Sequence, residues 1–308
     1  MYLNCHSYHS LRYGTIPLND LIQQAVVCGV KAMALTDINT VTGIYDFIKD
    51  CDAVGINPLV GIEFQSEKKF RYIGLAKNAS GLAEMNRFLT AHNFSGEPLP
   101  KQAPEFKDVF IIYNLDNAPE ILNENEFIGI RSEELPKLFA VEWKSKIDKM
   151  VVLQPVTFRT KKEFNLHKIL RAIDSNIILS KLTETDYCKT SEVIKPLEEL
   201  LKSYADYPEI IQNTERLIEQ CNFTFEFKTP RNKKCYTNNR QSDIALLTSL
   251  AQQGLLWRYG KSNIQAKARV EKELKVIDQL EFSGYFLITW DIIRYSNSRG
   301  FMHIGRGS

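Results

Sequence analysis

The residues with chemical potential in this 308-residue chain each follow a short apolar run. Tyr2-Leu3 leads into Asn4-Cys5-His6-Ser7 and on to Ser10, Tyr13 and Gly14. Lys31 to Leu35 leads into Thr36-Asp37, and Pro58 to Ile62 leads into Glu63. Runs of this length read as buried strands, and polar residues at the ends of successive parallel strands share one mouth of the sheet. An imidazole and two carboxylates meeting there form a donor set with which a hydrolase holds metal ions and activates water. The same residues also fit the plainer role of solvated strand ends.

The elements between these residues have to make the strands parallel. Pro17 opens a helix with Leu18, Leu21, Ile22, Ala25 and Val26 on one face, and Gly29 stands where a left-handed cap would end it. A second helix carries Ile44, Tyr45, Phe47 and Ile48 before Gly55 and Pro58. Strands and helices alternating in this order require right-handed crossovers. Further strands are predicted at 70–75, 109–113, 127–130 and 150–153, with helices near 80–89 and 163–173. A barrel is favoured over an open sheet. No glycine-rich phosphate fingerprint follows the first strand, so dinucleotide binding has no support.

Composition sets the outer limits. At 44% hydrophobic residues the chain can bury a sizeable core, and its length fits one large domain or two unequal ones at roughly 100–200 residues each. No apolar run reaches the roughly 18 residues of a membrane span, and the N-terminus has neither a basic lead nor an apolar signal core, so a cytoplasmic location without membrane contact is expected. Cys5, Cys28, Cys51, Cys188, Cys221 and Cys235 form no Cys-x-x-Cys pair, which argues against a zinc site or a disulfide framework. The net charge of +2 hides an asymmetry. Residues 228–308 hold 14 Lys and Arg against 6 Asp and Glu, while residues 1–227 hold 25 against 31. Two modules are implied, with a polyanion meeting the second.

Longer motifs in register with these elements carry a resemblance. His6-Ser7 with Ser10 and Gly14, Ala34-Leu35-Thr36-Asp37, Gly55 to Glu63, Leu75-Ala76-Lys77-Asn78, and His167 to Ile173 are joined by Tyr204-Ala205-Asp206-Tyr207-Pro208-Glu209, Asn213-Thr214, Phe282 to Ile288 and Trp290-Asp291. Together they resemble the polymerase and histidinol phosphatase (PHP) domain at the N-terminus of bacterial DNA polymerase III alpha subunits, followed by the start of the polymerase palm. The resemblance implies an α/β fold: a distorted seven-stranded (β/α) barrel over residues 1–227, then a linker and a partial α+β palm segment over 228–308. It also implies contacts with the remaining polymerase domains and with the proofreading exonuclease subunit.

The departures from the family pattern matter as much. Metal-loaded members carry His-x-His first, an acid before the first glycine and a His after Thr-Asp; here those positions are Asn4, Tyr13 and Ile38. A further His and an Asp-x-His are replaced by Arg71, Pro155 and Thr157, and no Ser-Gly-Cys follows the strand near Tyr113. Of the implied ligands only His6 and Glu63 remain, with Asp37 nearby, fewer than the three or four protein ligands zinc takes. The site is therefore read as vestigial, without catalytic residues or a tightly bound cofactor. Arg71 is expected to replace the metal as the cation of the pocket, paired with Glu63 across a hairpin through Gln65 to Lys69. Of the other histidines only His9 is near enough in sequence to substitute as a ligand; His92, His167 and His303 are read as packed or solvated.

The second module begins after the basic stretch 228–234 and is helical at first, with Ile244, Leu247, Leu250, Leu255 and Leu256 on one face and Val270, Leu274, Ile277 and Leu280 on another. The run 286–295 is apolar almost all round and is expected to be buried against the palm sheet. Gly305-Arg306-Gly307-Ser308 offers amides, a guanidinium and a hydroxyl to a triphosphate, and the resemblance makes it the start of a nucleotide-binding loop. The family's Mg²⁺-binding carboxylates lie beyond it, so the chain is not expected to polymerise. Three readings of function follow. The first is a structural and subunit-docking PHP domain of a replicative polymerase that acts on template-primer DNA and dNTP. The second is a residual metal-dependent phosphoesterase or 3′–5′ exonuclease using His6, Asp37, Glu63 and His9. The third is a stand-alone DNA-binding module.

Overall fold

A computed structural model describes residues 1–139, 143, 145–227, 229 and 232–305. The chain forms two compact units, 1–225 and 226–308. In the first unit eight strands make one mixed sheet: β1 (Tyr2–Cys5), β2 (Ala32–Leu35), β3 (Asn57–Ser66), β4 (Lys69–Ala76), β5 (Val109–Asn114), β6 (Glu126–Ile130), β7 (Met150–Val152) and β8 (Pro155–Val156). Their order is β7-β6-β5-β4-β3-β2-β1-β8. The two edge strands are separated in sequence by only Leu153 and Gln154, so the sheet has to curl until its edges are neighbours, as in a barrel. The strand beyond the seven found in the sequence is β8, two residues long. All neighbours run parallel except β3–β4 and β4–β5, which are antiparallel because β3 returns directly through the turn Glu67-Lys68. Both turn residues have positive φ, 53° and 63°, as a twist-matched two-residue hairpin requires.

Side chains alternate between two cores, as the strand period of two dictates. Ala32, Ala34, Leu59, Ile73, Leu75, Phe110 and Ile112 fill the interior. Met33, Leu35, Val60, Ile62, Phe64 and Tyr72 face the outer layer, where Leu21 and Ile22 of α1 (Leu18–Val27) and Phe47 and Ile48 of α2 (Ile44–Val54) meet them. Gly29 (φ 69°) and Gly55 (φ 75°) close these helices in the left-handed conformation their positions predict. Helix α3 (Ala79–Ser95) follows β4, and α4 (Lys161–Ser175) follows β8.

The final elements of the unit secure its edge. Helices α5 (Leu197–Ser203) and α6 (Pro208–Glu219) lie beside β7 and β6. Thr214 Oγ1 accepts from Val152 N at 2.8 Å, and Asn213 Nδ2 donates to Ile147 O and Met150 O at 2.9 and 3.0 Å. Tyr204 donates its hydroxyl to Ile130 O at 2.7 Å. Thr214 and Asn213 thus satisfy backbone groups of the edge strand β7 and of the turn before it, while Tyr204 adds a second bond to the last carbonyl of β6.

Among its described residues the second unit is helical: α7 (Arg240–Tyr259), α8 (Ile264–Gln279) and α9 (Ser283–Ser298). Asp243 organises it, accepting from Tyr236 N and Thr237 N at 2.9 and 2.7 Å. The expected α+β segment shows no strand among the described residues. The run 286–295 lies in α9, where Leu287 is buried while Phe286, Ile292 and Tyr295 are exposed. Its expected burial is corrected because these residues provide no sheet for it to cover.

Gly14 is the tightest point of the loop after β1. A Cβ there would lie 1.8 Å from Ser7 O, a backbone atom that cannot yield cheaply. Gly14→Ala should therefore destabilise the first unit by roughly 2–3 kcal/mol, the upper range for overpacking, read as a lower urea midpoint; an unchanged midpoint would show that the loop repacks freely.

Candidate functional site

The strands bring His6 and Glu63 together. His6 lies one residue past β1, held by its own N–H on Val156 O at 2.8 Å. Glu63 shares the inward phase of Leu59 on β3, and at that depth the interior opens into a cavity of about 180 Å³. Asn4, Tyr13, Gln65, Lys68, Phe70, Arg131, Arg171 and Glu192 also line it.

Every polar side-chain atom of His6 and Glu63 is engaged. His6 Nε2 lies 3.0 Å from Glu63 Oε2, which also accepts from Asn4 Nδ2 at 2.8 Å, while Gln65 Nε2 donates to Glu63 Oε1 at 2.6 Å. On its other side His6 Nδ1 lies 3.1 Å from Thr157 Oγ1. Thr157 donates its one proton to Glu192 Oε2 at 2.9 Å, so towards His6 it can only accept. Both ring nitrogens therefore act as donors, which only the imidazolium can do. Burial disfavours that charged form, but the charge and hydrogen bond of Glu63 outweigh it and raise the His6 pKa. Burial likewise opposes ionisation of Glu63, and His6 overcomes it, lowering the carboxyl pKa. Arg131, 3.2 Å from Glu192 Oε1, neutralises the far end.

Asp37 faces a different task. It accepts from Ser7 N at 2.7 Å, Ser7 Oγ at 2.7 Å and Ser10 Oγ at 2.6 Å, folding the loop after β1. Burial exceeds these bonds and raises its pKa. It does not line the cavity. His9 packs on Tyr8 with ring centroids 4.4 Å apart and lies outside the cavity lining as well.

Arg71 is not paired with Glu63 as expected. The β3–β4 register shifts between Phe64 and Gln65: Phe64 faces Tyr72, but Gln65 faces Phe70, leaving Arg71 out of the ladder. Phe70 thereby takes the place at the cavity that regular pairing would give Arg71. Arg71 reaches Glu67 at 3.7 Å instead. The central cation is His6 itself. Gly305 is exposed; Arg306, Gly307 and Ser308 lie outside the described residues.

Sequence reasoning missed Glu192, Arg131 and Arg171. The first lies in irregular chain after α4 and the second just beyond β6, so no local pattern marks them. Tyr13, in the acid position of the family pattern, stacks edge-on against His6 at 5.2 Å and His167 at 4.6 Å, with the Arg171 guanidinium 5.3 Å from its ring centre.

These donors do not fit a metal. Among the described residues no three His, Cys, Asp or Glu side chains gather to hold one. His6 has no free lone pair while it spans Glu63 and Thr157, and both Glu63 oxygens already accept hydrogen bonds.

A family profile described as "PHP domain" matches residues 3–230. The chain belongs to the PHP-domain family. A second profile, "Bacterial DNA polymerase III alpha NTPase domain", matches 245–308. An error-prone DNA polymerase of Symbiobacterium thermophilum is 26% identical over 100% of this chain and 33% of its own length. The DNA polymerase III alpha subunits of Halalkalibacterium halodurans and Bacillus subtilis are each 26% identical over 100% of this chain and 31% of theirs. The chain thus spans about a third of the length of these relatives. Among solved structures, an amidohydrolase of Chromobacterium violaceum aligns with 31% of this chain and 34% of its own at 21% identity and TM-score 0.26, a likeness too partial to bear on function. No helix among the described residues is long and apolar enough to cross a membrane.

The PHP barrel contains two histidines of opposite kind. His167 donates through Nδ1 to Tyr13 O at 2.7 Å and accepts at Nε2 from Cys188 N at 3.0 Å, a neutral ring whose burial lowers its pKa to about 4. Below its ordinary value near 6.5 the unfolded chain takes the proton first, so His167 stability is complete above that pH and lost as pH falls towards 4, by up to about 3 kcal/mol. His6, with its raised pKa, contributes in the opposite sense: fully below about pH 6.5, and lost as pH rises through its folded pKa. Urea titrations at pH 7 and 5 should show a fall in stability that His167→Gln reduces. An identical fall in the variant would place the acid sensitivity elsewhere.

Proposed function

We propose that this chain is part of a replicative polymerase of the DNA polymerase III alpha type, in which the PHP barrel is a non-hydrolytic structural and docking domain. The observation that carries this reading is the closed charge network: His6, Glu63, Thr157 and Glu192 satisfy one another where a hydrolytic relative would present free donors to metal ions. A hydrolase built on His6, Asp37, Glu63 and His9 gains nothing from the geometry, since Asp37 holds the Ser7–Ser10 loop and His9 packs on Tyr8.

The second unit would contribute to the polymerase domain. Its match to the polymerase profile and its excess of Lys and Arg support contact with template-primer DNA. Gly305, Arg306, Gly307 and Ser308 would bind the incoming nucleotide, with Mg²⁺ supplied at carboxylates of the whole polymerase. The proofreading exonuclease is the proposed docking partner, and the cytoplasm the proposed location.

Elemental analysis tests this directly. The purified protein should carry substoichiometric zinc and manganese after dialysis against either ion, and should leave phosphodiester substrates intact. Two or more ions per chain, with hydrolysis abolished by His6→Ala, would restore the enzyme reading.

A further inference from the structure

Away from the barrel mouth, α4 carries a row of exposed aliphatic side chains. Leu166, Ile169 and Ile173 are 45%, 46% and 60% exposed, while His167, Arg171 and Ala172 bury the opposite face of the same helix. Steps of three and four residues align the exposed three along the helix, and Ile177, Ile178 and Leu179, which follow its end in sequence, are exposed as well. An exposed helix face in a soluble domain is ordinarily polar.

The surroundings restrict what could cover this row. The helix is fixed on the barrel: His167 is bonded at both ring nitrogens, Arg171 donates to Asp186 O at 2.9 Å, and Lys68 of the β3–β4 turn reaches Asp174 at 3.2 Å. A rigid helix with a narrow seam at three-four spacing is complemented by a second helix with the same spacing. The charge beside the seam is one-sided. Glu163 is held by Arg159, and Asp174 by Lys68, Arg12 and Arg171. Lys161 and Lys162, both exposed, have no ion-pair partner among the described residues, and the Lys168 ammonium lies 4.6 Å from the Tyr187 ring centre. The rim is basic and complements carboxylates.

We propose that the row of Leu166, Ile169 and Ile173 is a docking seam for an amphipathic helix of a partner protein, with aliphatic residues at the same spacing and carboxylates beside them. The inference rests on reading the barrel as a docking domain and names the chemistry of what docks. A basic apolar face could also meet an anionic bilayer, but a seam one side chain wide on a rigid helix has little surface to insert.

The test titrates the full chain against a fluorescent peptide of about 21 residues, three heptads, with Leu at the seam positions and Glu beside them, and against its counterpart with Lys for Glu. The Glu peptide should bind saturably and the Lys peptide at least about tenfold more weakly. Ile169→Glu should weaken the Glu peptide by on the order of tenfold or more while leaving the melting temperature in place. Should that variant lose its fold, the pair Leu166→Gln and Ile173→Gln serves the same purpose. Any of four results overturns the seam: no saturable binding, equal affinity for both peptides, binding only to phosphatidylserine vesicles, or self-association abolished by Ile169→Glu. The reading of the barrel as non-hydrolytic is decided by the metal and hydrolysis assays, so a failed titration beside negative hydrolysis removes this seam alone.

Discussion

His6 and Glu63, 3.0 Å apart and shielded from water, join the end of β1 to the inward face of β3, and the mouth of the barrel is arranged around them. A buried charge of either sign is costly unless paired and hydrogen-bonded. Each neighbour removes part of that cost: Asn4 and Gln65 serve the carboxylate, Thr157 the imidazolium, and Glu192 with Arg131 extends the alternation of charge. Four strands and the loop carrying Glu192 are tied to one another by this chain of bonds. Removing one member would leave its partner charged and unsatisfied, a larger loss than the pair's net contribution.

The network accounts for the departures from the family pattern as a set. Where the resemblance implies metal ligands, Asn4 and Thr157 provide hydrogen bonds of the kind a charged His–Glu pair needs, and Tyr13 provides an aromatic edge against His6. Pro155 and Ile38 contribute backbone, Pro155 in the β1–β8 ladder and Ile38 as an N–H donor to Ser10 Oγ. The substitutions are compatible with one another, and a metal at His6 would have to displace the proton that the ring donates to Glu63.

Much of this fold was legible in the sequence because it depends on local periodicity. The alternation along β3 sends Leu59 and Glu63 inward, and glycines mark the ends of α1 and α2 as expected. Arg71 was misplaced because the one-residue shift in the β3–β4 ladder has no signature in the sequence, and a shift of one residue exchanges the two faces of a strand. Glu192 and Arg131 escaped notice because Glu192 meets Thr157, and Arg131 meets Glu192, only through long-range closure of the sheet. Helix α9 was read correctly as apolar, but burial belongs to whatever packs against a helix, which no pattern within 286–295 can state.

The protonation state of His6 decides the account most directly. In a sample labelled with nitrogen-15 at histidine, long-range proton–nitrogen correlation distinguishes imidazolium from either neutral tautomer, with His6→Gln assigning the signal. At neutral pH both ring nitrogens of His6 should be protonated, should lose a proton only at a pH above the ordinary histidine pKa, and should be unmoved by added Zn²⁺. A His6 ring with a free nitrogen at neutral pH that shifts on addition of Zn²⁺ would contradict the account and return the pocket to metal chemistry.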